Sequence, residues 1–590
     1  MKFLLTAINA KYIHSNPAIY SLRAHAGAEL QEHVELAEYT INQTFTEILA
    51  DIYKRKPDGI GFSCYIWNIA LVLELVAELH KILPQVPIWL GGPEVSFDAP
   101  KLLEEYPQIT GVMIGEGEET FKELLTYYVE TPREMWIEPG DLRSIPGLCL
   151  PDGYTSPREP ADINSLPFLY SDLEAFENKI IYYESSRGCP FRCSYCLSSI
   201  DKKVRLRDLD TVQKELQFFL DNRVKQVKFV DRTFNCNHEH AMAIWQYILE
   251  HDNGVTNFHF EVSADILNEE EINLLNRMRP GLVQLEIGVQ STNPETIKAI
   301  NRTMNVEKLE KIVGAINAGC NVHQHLDLIA GLPYEDYKTF AKSFNRVFEM
   351  EPEQLQLGFL KVLKGSRMHE MAEEYGICYM DKPPYEVLYT RWLSYEDVLK
   401  LKGIEEMVEL YYNSNQFRHT LAFLVNQFET PFQMFEELAG FYERKGYFTN
   451  SPARAYRYHV LLEFALEWCP AEILRELLTY DMYLRENLKS RPEFAMDLAP
   501  YKEYSRRFYM QEEQERKLLP GYEAYDHKQM AKMTHLEPFK YPVWDRNLCN
   551  NNRKGETFVL FDYRQRDPLT GDARTVALLW EGQDNEYLKG

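Results

Sequence analysis

Three cysteines with the spacing C-x3-C-x2-C follow a short apolar run, and they constrain the chain more than any other feature. They are Cys189, Cys193 and Cys196. Thiolates are the ligands that iron–sulfur clusters prefer, and a four-iron cluster held by three cysteines leaves one iron open to another ligand. Gly188 lets the backbone come close to such a cluster, and Phe191 can help to shelter it from water. The sequence therefore predicts a [4Fe-4S] site in this loop.

A structural zinc site is the alternative for the same cysteines. Structural zinc binds four protein ligands at paired spacings, and neither a second C-x2-C nor an H-x3-H follows this loop closely. The other seven of the 10 cysteines are scattered singly, which suits a reducing compartment. The cluster is the favoured prediction, with a cytoplasmic location.

The spacing, together with Tyr195 just before the last cysteine, resembles the radical S-adenosylmethionine (SAM) superfamily. This resemblance implies that the three cysteines hold the cluster and that the open iron binds the amino and carboxylate groups of SAM. An electron from the reduced cluster would then cleave SAM to methionine and a 5′-deoxyadenosyl radical. The resemblance also implies an electron donor such as flavodoxin or ferredoxin.

Length and charge restrict the class of protein. A chain of 590 residues predicts about two to four domains. The net charge of -25 argues against a long basic surface for duplex DNA, so any nucleic acid would bind locally. No apolar stretch reaches the length of a membrane span.

Residues 1–130 alternate short apolar strands with amphipathic helices, which predicts a doubly wound parallel sheet. Such sheets bind ligands at the carboxyl edge of their strands. The candidate cofactor-binding residues at this edge are Ser63, Tyr65, Gly91, Gly92, Pro93, Glu94, Gly115, Glu116 and Gly117. No proton-transfer role is assigned to the glutamates, since a solvated surface explains them equally well.

Placed directly before a radical SAM motif, this domain resembles the cobalamin-binding domain of cobalamin-dependent radical SAM enzymes. A flavodoxin-like or other nucleotide-binding unit is the alternative, although no G-x-G-x-x-G follows the first strand. The D-x-H-x-x-G motif that supplies a cobalt ligand in other cobalamin enzymes is absent. His14 is therefore a doubtful axial ligand, and a hydrogen-bonding structural role is favoured.

Residues 131–178 are rich in proline and predict a connector with little regular structure. Residues 179–370 then predict six strands of a partial (β/α)6 barrel of TIM-like type, at 180–184, 227–230, 258–262, 282–289, 325–330 and 354–360. Barrels of this kind place their chemistry at the carboxyl ends of the strands. The resemblance to the superfamily makes the following residues at these ends candidates for binding SAM: Tyr195, Asp231, Glu261, Ser263, Gln290, Ser291, Ile329 and Gly331.

Residues 371–590 predict mostly amphipathic helices and a terminal β-hairpin, a domain that resembles a bacterial group without an assigned function. It is a candidate substrate cap, although an ordinary helical packing face explains the same pattern.

The resemblance implies a cobalamin-dependent radical SAM enzyme, and methyl transfer to an unreactive carbon is the favoured reaction. Radical rearrangement or cyclisation without methyl transfer, tRNA-base modification and a non-catalytic cobalamin- or SAM-responsive regulator are the alternatives. The substrate is left open among a small molecule, a lipid, a peptide and a tRNA, and no residue is assigned as catalytic.

Overall fold

The computed structural model describes residues 1–136, 141–545 and 555–579. The N-terminal domain contains a seven-stranded sheet in the order β2-β1-β3-β4-β5-β6-β7, in which β1 to β5 are parallel. Its strands are β1 (Phe3–Asn9), β2 (Val34–Thr40), β3 (Gly59–Ser63), β4 (Ile88–Gly91), β5 (Gly111–Met113), β6 (Leu148–Leu150) and β7 (Gly153–Tyr154). Its helices are α1 (Pro17–His25), α2 (Ala28–Gln31), α3 (Phe45–Arg55), α4 (Ile69–Ile82), α5 (Ala99–Glu105) and α6 (Glu118–Glu130). The predicted doubly wound sheet is confirmed.

The segment predicted as a connector carries more structure than its prolines indicate. Strands β6 and β7 lie within it, and β6 pairs antiparallel with β5, so they extend the first sheet. The side chains of β6 are buried, which stabilises this edge. Residues 137–140 of the same segment lie outside the described residues.

The central domain contains six parallel strands in the order β15-β14-β13-β12-β11-β8, and the predicted partial barrel is confirmed. These strands are β8 (Ile181–Tyr183), β11 (Gln226–Phe229), β12 (Asn257–Val262), β13 (Val283–Gln290), β14 (His323–Ala330) and β15 (Gln354–Phe359). The short strands β9 (Ser186–Arg187) and β10 (Arg205–Leu206) form a separate antiparallel ladder around the cysteine loop. The helices are α7 (Leu209–Asp221), α8 (His238–Glu250), α9 (Glu269–Leu275), α10 (Pro294–Ala299), α11 (Val306–Asn317) and α12 (Tyr337–Phe348).

Burial alternates along β13 and β14, where apolar residues face the surrounding helices and half-buried polar residues face the barrel interior. Because the strands are parallel, their carboxyl ends open at the same rim.

The C-terminal domain is mostly helical and ends in a three-stranded antiparallel sheet. Its helices are α13 (Arg367–Met371), α14 (Tyr395–Met407), a π-helical turn (Val408–Asn413), α15 (Arg418–Val425), α16 (Pro431–Lys445), α17 (Arg457–Ala465), α18 (Ala471–Arg485), α19 (Lys502–Glu515) and α20 (His527–Met533). Its strands are β16 (Cys378–Tyr379), β17 (Val387–Tyr389), β18 (Thr534–Phe539), β19 (Thr557–Arg566) and β20 (Ala573–Leu579).

The predicted terminal hairpin is present as β19 and β20, and β18 adds a third strand that the sequence pattern did not indicate. The terminal residues 580–590 lie outside the described residues. In the part of the chain that the structure describes, no helix is long and apolar enough to cross a membrane.

Candidate active site

The three cysteines lie in one loop after β9, at the rim of the barrel. Cys189 and Cys193 are buried, and Cys196 is half-buried. The backbone of the loop is held at both ends, because the N–H of Cys189 donates to the carbonyl of Asp201 at 2.9 Å and that of Ser194 donates to Ile300 at 2.9 Å. These bonds hold the loop against the neighbouring segments of the barrel.

The first position of this loop, Gly188, requires a glycine. Its φ of +93° lies in the left-handed region, and a β-carbon at this position would collide with the carbonyl of Lys203.

Within the described residues, no three His, Cys, Asp or Glu side chains lie close enough together to hold a single metal ion. The cysteines of a four-iron cluster lie further apart than the ligands of a single metal ion, because each of them binds a different iron. The three thiols of the cysteine loop are compatible with this arrangement.

A small cavity of about 190 Å³ lies between the cysteine loop and the ends of β12, β13 and β14. Four of the eight predicted SAM-binding residues line it: Tyr195, Glu261, Ser263 and Gln290. Arg232, Arg302 and Asp327 also line it, although they were not among the predicted binding residues.

Gln290 is held in a strained backbone conformation that aims it into this small cavity. Its φ is +70°, which is uncommon for a residue other than glycine, and β13 has an irregular register at this point. Its Oε1 atom is buried without a hydrogen-bond partner among the described residues. Strain and an unsatisfied acceptor at a cavity wall are typical of a ligand-binding residue.

Arg302 lies beside the cysteine loop. Its Nη1 atom is 3.6 Å from the sulfur of Cys193 and 3.3 Å from the hydroxyl of Tyr195. Its Nη2 atom donates to the carbonyl of Gly288, while its Nε atom is buried without a partner among the described residues. The pair Asn301-Arg302 shortly after β13 is the local sequence signal that could have found this residue.

Carboxyl groups in the barrel interior differ strongly in pKa. Although burial opposes ionisation of Glu286, His259 at 3.0 Å and Lys228 at 2.9 Å lower its pKa to about 2. Burial and the charge of Glu286 raise the pKa of Glu261 to about 7. Burial also raises the pKa of Asp327. The cavity thus holds one firmly ionised carboxylate beside two carboxyl groups that bind protons more readily.

The other four predicted SAM-binding residues lie outside the lining of the small cavity. Asp231 is buried, and its carboxylate accepts hydrogen bonds from the backbone and hydroxyl of Ser185 and from the hydroxyl of Ser186. Ser291 donates to Glu335 at 2.6 Å. Both side chains therefore have hydrogen-bond partners within the barrel, and their predicted contacts with SAM stay predictions.

Ile329 and Gly331 pack in the apolar cluster that joins β14 to the start of the C-terminal domain. A β-carbon on Gly331 would lie 2.7 Å from Val387, so no larger residue fits there without a shift.

A second and larger cavity of about 560 Å³ lies at the carboxyl edge of the first sheet. Eight of the nine predicted residues of this edge line it: Ser63, Tyr65, Gly91, Gly92, Pro93, Gly115, Glu116 and Gly117. Gly92 has a φ of +114°, and a β-carbon there would lie 2.5 Å from the carbonyl of Cys64. The glycine is required for the close packing of two loops at the cavity wall.

Glu94 is the exception, because it points away from the larger cavity into a contact with the C-terminal domain. It is buried and accepts a hydrogen bond from the hydroxyl of Tyr385. Burial raises the pKa of this carboxyl group.

His14 does not line the larger cavity either, and its Nδ1 atom lies 2.5 Å from the hydroxyl of Tyr182. A hydrogen-bonding role, favoured from the sequence, agrees with this contact.

Three family models match successive parts of the chain. The B12 binding domain matches residues 4–125, the radical SAM superfamily matches 183–347, and a protein family of unknown function (DUF4080) matches 373–561. The chain belongs to the cobalamin-dependent radical SAM enzymes. The family inferred from the cysteine loop and the sheet before it is thus confirmed, with cluster, SAM and cobalamin as its cofactors.

The enzyme is similar to two curated methyltransferases. It is 24% identical to the cobalamin-dependent radical SAM methyltransferase TokK of Streptomyces tokunonensis, over 76% of this chain and 68% of that protein. It is 25% identical to the 2-(S-pantetheinyl)-carbapenam-3-carboxylate methyltransferase of Streptantibioticus cattleyicolor, over 55% of this chain and 49% of that protein. The enzyme therefore spans about half the length of the second relative.

A solved structure shares the fold. The cobalamin-dependent SAM radical enzyme OxsB, with aqua-cobalamin and SAM bound, matches with a TM-score of 0.55 and 16% identity, over 80% of this chain and 79% of OxsB.

The residues of both cavities fit the cofactors of this family. Three thiols at the rim of the barrel can bind a cluster, and Gln290 and Arg302 have buried polar atoms free for SAM. The glycine-lined cavity admits a large flat group close to the backbone. When bound, the cluster supplies the electron that cleaves SAM, and cobalamin supplies a cobalt centre that carries a methyl group.

Proposed function

We propose that the enzyme transfers a methyl group from SAM to an unreactive carbon of its substrate, with both cavities serving one reaction. One observation carries this proposal. The loop that contains the cysteines is also the wall between the two cavities, since Ser198 and Ser199 line the small cavity whereas Leu197 and Ile200 line the large one. Two cofactors bound in these cavities would be separated by a single loop, so a substrate at the rim could reach both.

The residues of this chain would position the reactants and exclude water. Gln290 and Arg302 would hold SAM against the cluster, and the apolar wall formed by Leu166, Phe168 and Leu197 would shield the larger cavity. The cysteine loop and the buried Cys64 and Cys149 hold free thiols, which supports a reducing location such as the cytoplasm. An electron donor of the flavodoxin or ferredoxin type would suit that location.

The test uses anaerobically reconstituted protein with cobalamin, a low-potential reductant, and SAM that carries a deuterated methyl group. An extract of cells that lack the protein provides the substrate, whether it is a small molecule, lipid, peptide or tRNA. We expect 5′-deoxyadenosine and S-adenosylhomocysteine in comparable amounts, and one extract component should gain the label.

Replacement of Cys189, Cys193 and Cys196 by alanine should abolish both products, whereas alanine at the exposed Cys320 is the matched control. Substrate-dependent 5′-deoxyadenosine without S-adenosylhomocysteine would contradict methyl transfer and support radical rearrangement or cyclisation instead.

A further inference from the structure

A group of charged side chains joins the N-terminal domain to the barrel at the edge of the larger cavity. Glu118 begins α6, and its Oε1 atom lies 2.6 Å from Nη2 of Arg187 in the barrel. Glu184, on the barrel side, lies 2.9 Å from Nε of the same arginine. Glu116 contacts Arg187 at 3.5 Å and also accepts a hydrogen bond from Arg205 at 3.0 Å. Two arginines of one domain are thus held by two glutamates of the other.

Both arginines are bound to the cysteine loop through short connections. Arg187 stands two residues before Cys189, and its backbone pairs with that of Arg205 in the β9–β10 ladder. The guanidinium of Arg205 also contacts the carboxylate of Asp201 at 2.8 Å, and the carbonyl of Asp201 accepts the N–H of Cys189. A displacement of Glu116 or Glu118 would therefore also shift the cysteine loop, because only a few contacts lie between them.

Most members of this charged group also form part of the cavity wall. Glu116, Glu118, Glu184 and Arg187 all line the larger cavity, next to Gly115 and Gly117. The side chain of Glu118 is only 7% exposed and that of Arg187 is 16% exposed, so solvent screens this pair weakly. Although burial opposes its ionisation, the charge of Arg187 lowers the pKa of Glu118, and both groups stay charged.

Buried ion pairs contribute little net stability, because the cost of desolvation offsets most of the attraction. Such pairs instead favour one alignment of the two surfaces that carry them. If the surfaces shift, one buried charge loses its partner, and this is costly. Apolar contacts would be enough to hold two domains together. The charged contacts here instead fix the rotation and distance of one domain against the other.

We propose that Glu118 and Arg187 are positioning residues that set the register between the cofactor edge of the first sheet and the cysteine loop. The proposal rests on the proposed function, because it assumes that cobalamin occupies the larger cavity. In this arrangement Glu118 acts through Arg187, and neither residue takes part in bond cleavage.

The test compares Glu118→Gln, Arg187→Gln and the double variant with Glu119→Gln. Glu119 is the matched control, because it lies on the same helix but pairs with His25 of its own domain at 2.6 Å. Each protein is loaded with cluster and cob(II)alamin, and the magnetic interaction between the two centres is measured after reduction of the cluster. We expect the two single variants to keep full iron and corrinoid contents but to lose the single defined interaction of the wild type.

The double variant should resemble the more affected single variant, because residues that act through each other are not additive. An unchanged interaction in both single variants, or an equal change in Glu119→Gln, would overturn the proposal. Additive effects in the double variant would overturn the link between the two residues.

Amide hydrogen exchange of the unloaded proteins gives an independent measurement. Exchange in the β9–β10 ladder should accelerate in Glu118→Gln but not in Glu119→Gln, and equal rates in the two would count against the proposal. If the wild type binds no corrinoid, the proposed function fails. The exchange data would then still decide whether Glu118 holds the cysteine loop.

Discussion

The hydroxyl of Tyr385 donates a hydrogen bond to the buried carboxylate of Glu94, although 291 residues separate them in the chain. Glu94 follows β4 in the first sheet, and Lys364 adds a second contact at 3.6 Å from the start of the C-terminal region. Phe97, on the same loop, packs on Gly365 and also lines the larger cavity. The C-terminal region thus supports a wall of the cavity from outside.

Tyr385→Phe should therefore loosen the loop after β4. It removes one hydrogen bond to a buried carboxylate, a loss that costs about 1–3 kcal/mol. Hydrogen exchange at 92–97 should accelerate accordingly, while the barrel strands keep their protection. Tyr395→Phe is the control, because Tyr395 is 49% exposed. Equal exchange in Tyr385→Phe and the wild type would show that this contact does not support the loop.

Arg302 should raise the reduction potential of the cluster. Its guanidinium lies 3.6 Å from the sulfur of Cys193, and a nearby positive charge favours the reduced, more negative cluster. Arg302→Met should lower the potential by on the order of 60 mV, which corresponds to a tenfold change in a one-electron equilibrium. A redox titration followed by electron paramagnetic resonance measures this shift.

Lys298→Met, on the exposed surface of α10, is the control for Arg302→Met. A potential that stays the same in Arg302→Met would mean that the guanidinium is directed at a bound ligand rather than at the cluster.

The sequence predicted the two sheets because each strand buries one or both of its faces and carries enough apolar residues to be recognised. Strand β1, for example, is buried along its whole length and consists mostly of apolar residues. Strands β6 and β7 were missed, since they are short and lie among prolines. In the C-terminal region, where the pattern predicts mostly helices, α14 begins only at Tyr395, because Val387 lies in a strand that pairs with β16.

Site residues were predictable where a local motif carries them. The cysteine loop and the glycine-rich turns meet this condition, and both line the expected cavities. The pairing of Glu118 with Arg187 and of Glu94 with Tyr385 was not predictable, because each contact depends on how two domains dock. The three hydrogen bonds that the carboxylate of Asp231 accepts from Ser185 and Ser186 were not predictable either, because they depend on how the barrel strands align.

Glu335 should make stability depend on pH. It is buried and accepts hydrogen bonds from Ser291 and Ser343, and burial raises its pKa from 4.5 to about 7. The folded protein therefore keeps a proton that the unfolded chain loses above pH 4.5. Between about pH 4.5 and 7 this group should lower the free energy of unfolding by about 3 kcal/mol as the pH rises.

Glu335→Gln should remove this contribution, because the amide does not titrate. The measurement is the difference in thermal unfolding between wild type and variant across pH 4.5 to 8. We expect the wild type to lose stability relative to the variant up to about pH 7 and the difference to stay constant above it. A difference that does not change with pH would contradict a raised pKa for Glu335.

Gly91 is the best position for blocking the larger cavity, because an added side chain has more room there than at its neighbour Gly92. At Gly92 even a β-carbon would collide with the backbone of Cys64, so a large residue there would distort the sheet as well as fill the cavity. At Gly91 the nearest atom to an added β-carbon is the methyl group of Met113 at 3.4 Å, an ordinary contact. Gly91→Ala should therefore fold and bind corrinoid like the wild type.

Gly91→Phe should extend a ring into the cavity and weaken corrinoid binding at least tenfold, or about 1.4 kcal/mol, while the iron content stays unchanged. The corrinoid bound per chain after reconstitution, read from visible absorbance, measures the effect. Full corrinoid uptake by Gly91→Phe would place the cofactor elsewhere. Loss of uptake in Gly91→Ala would show that the backbone of this turn, rather than the volume of the cavity, limits binding.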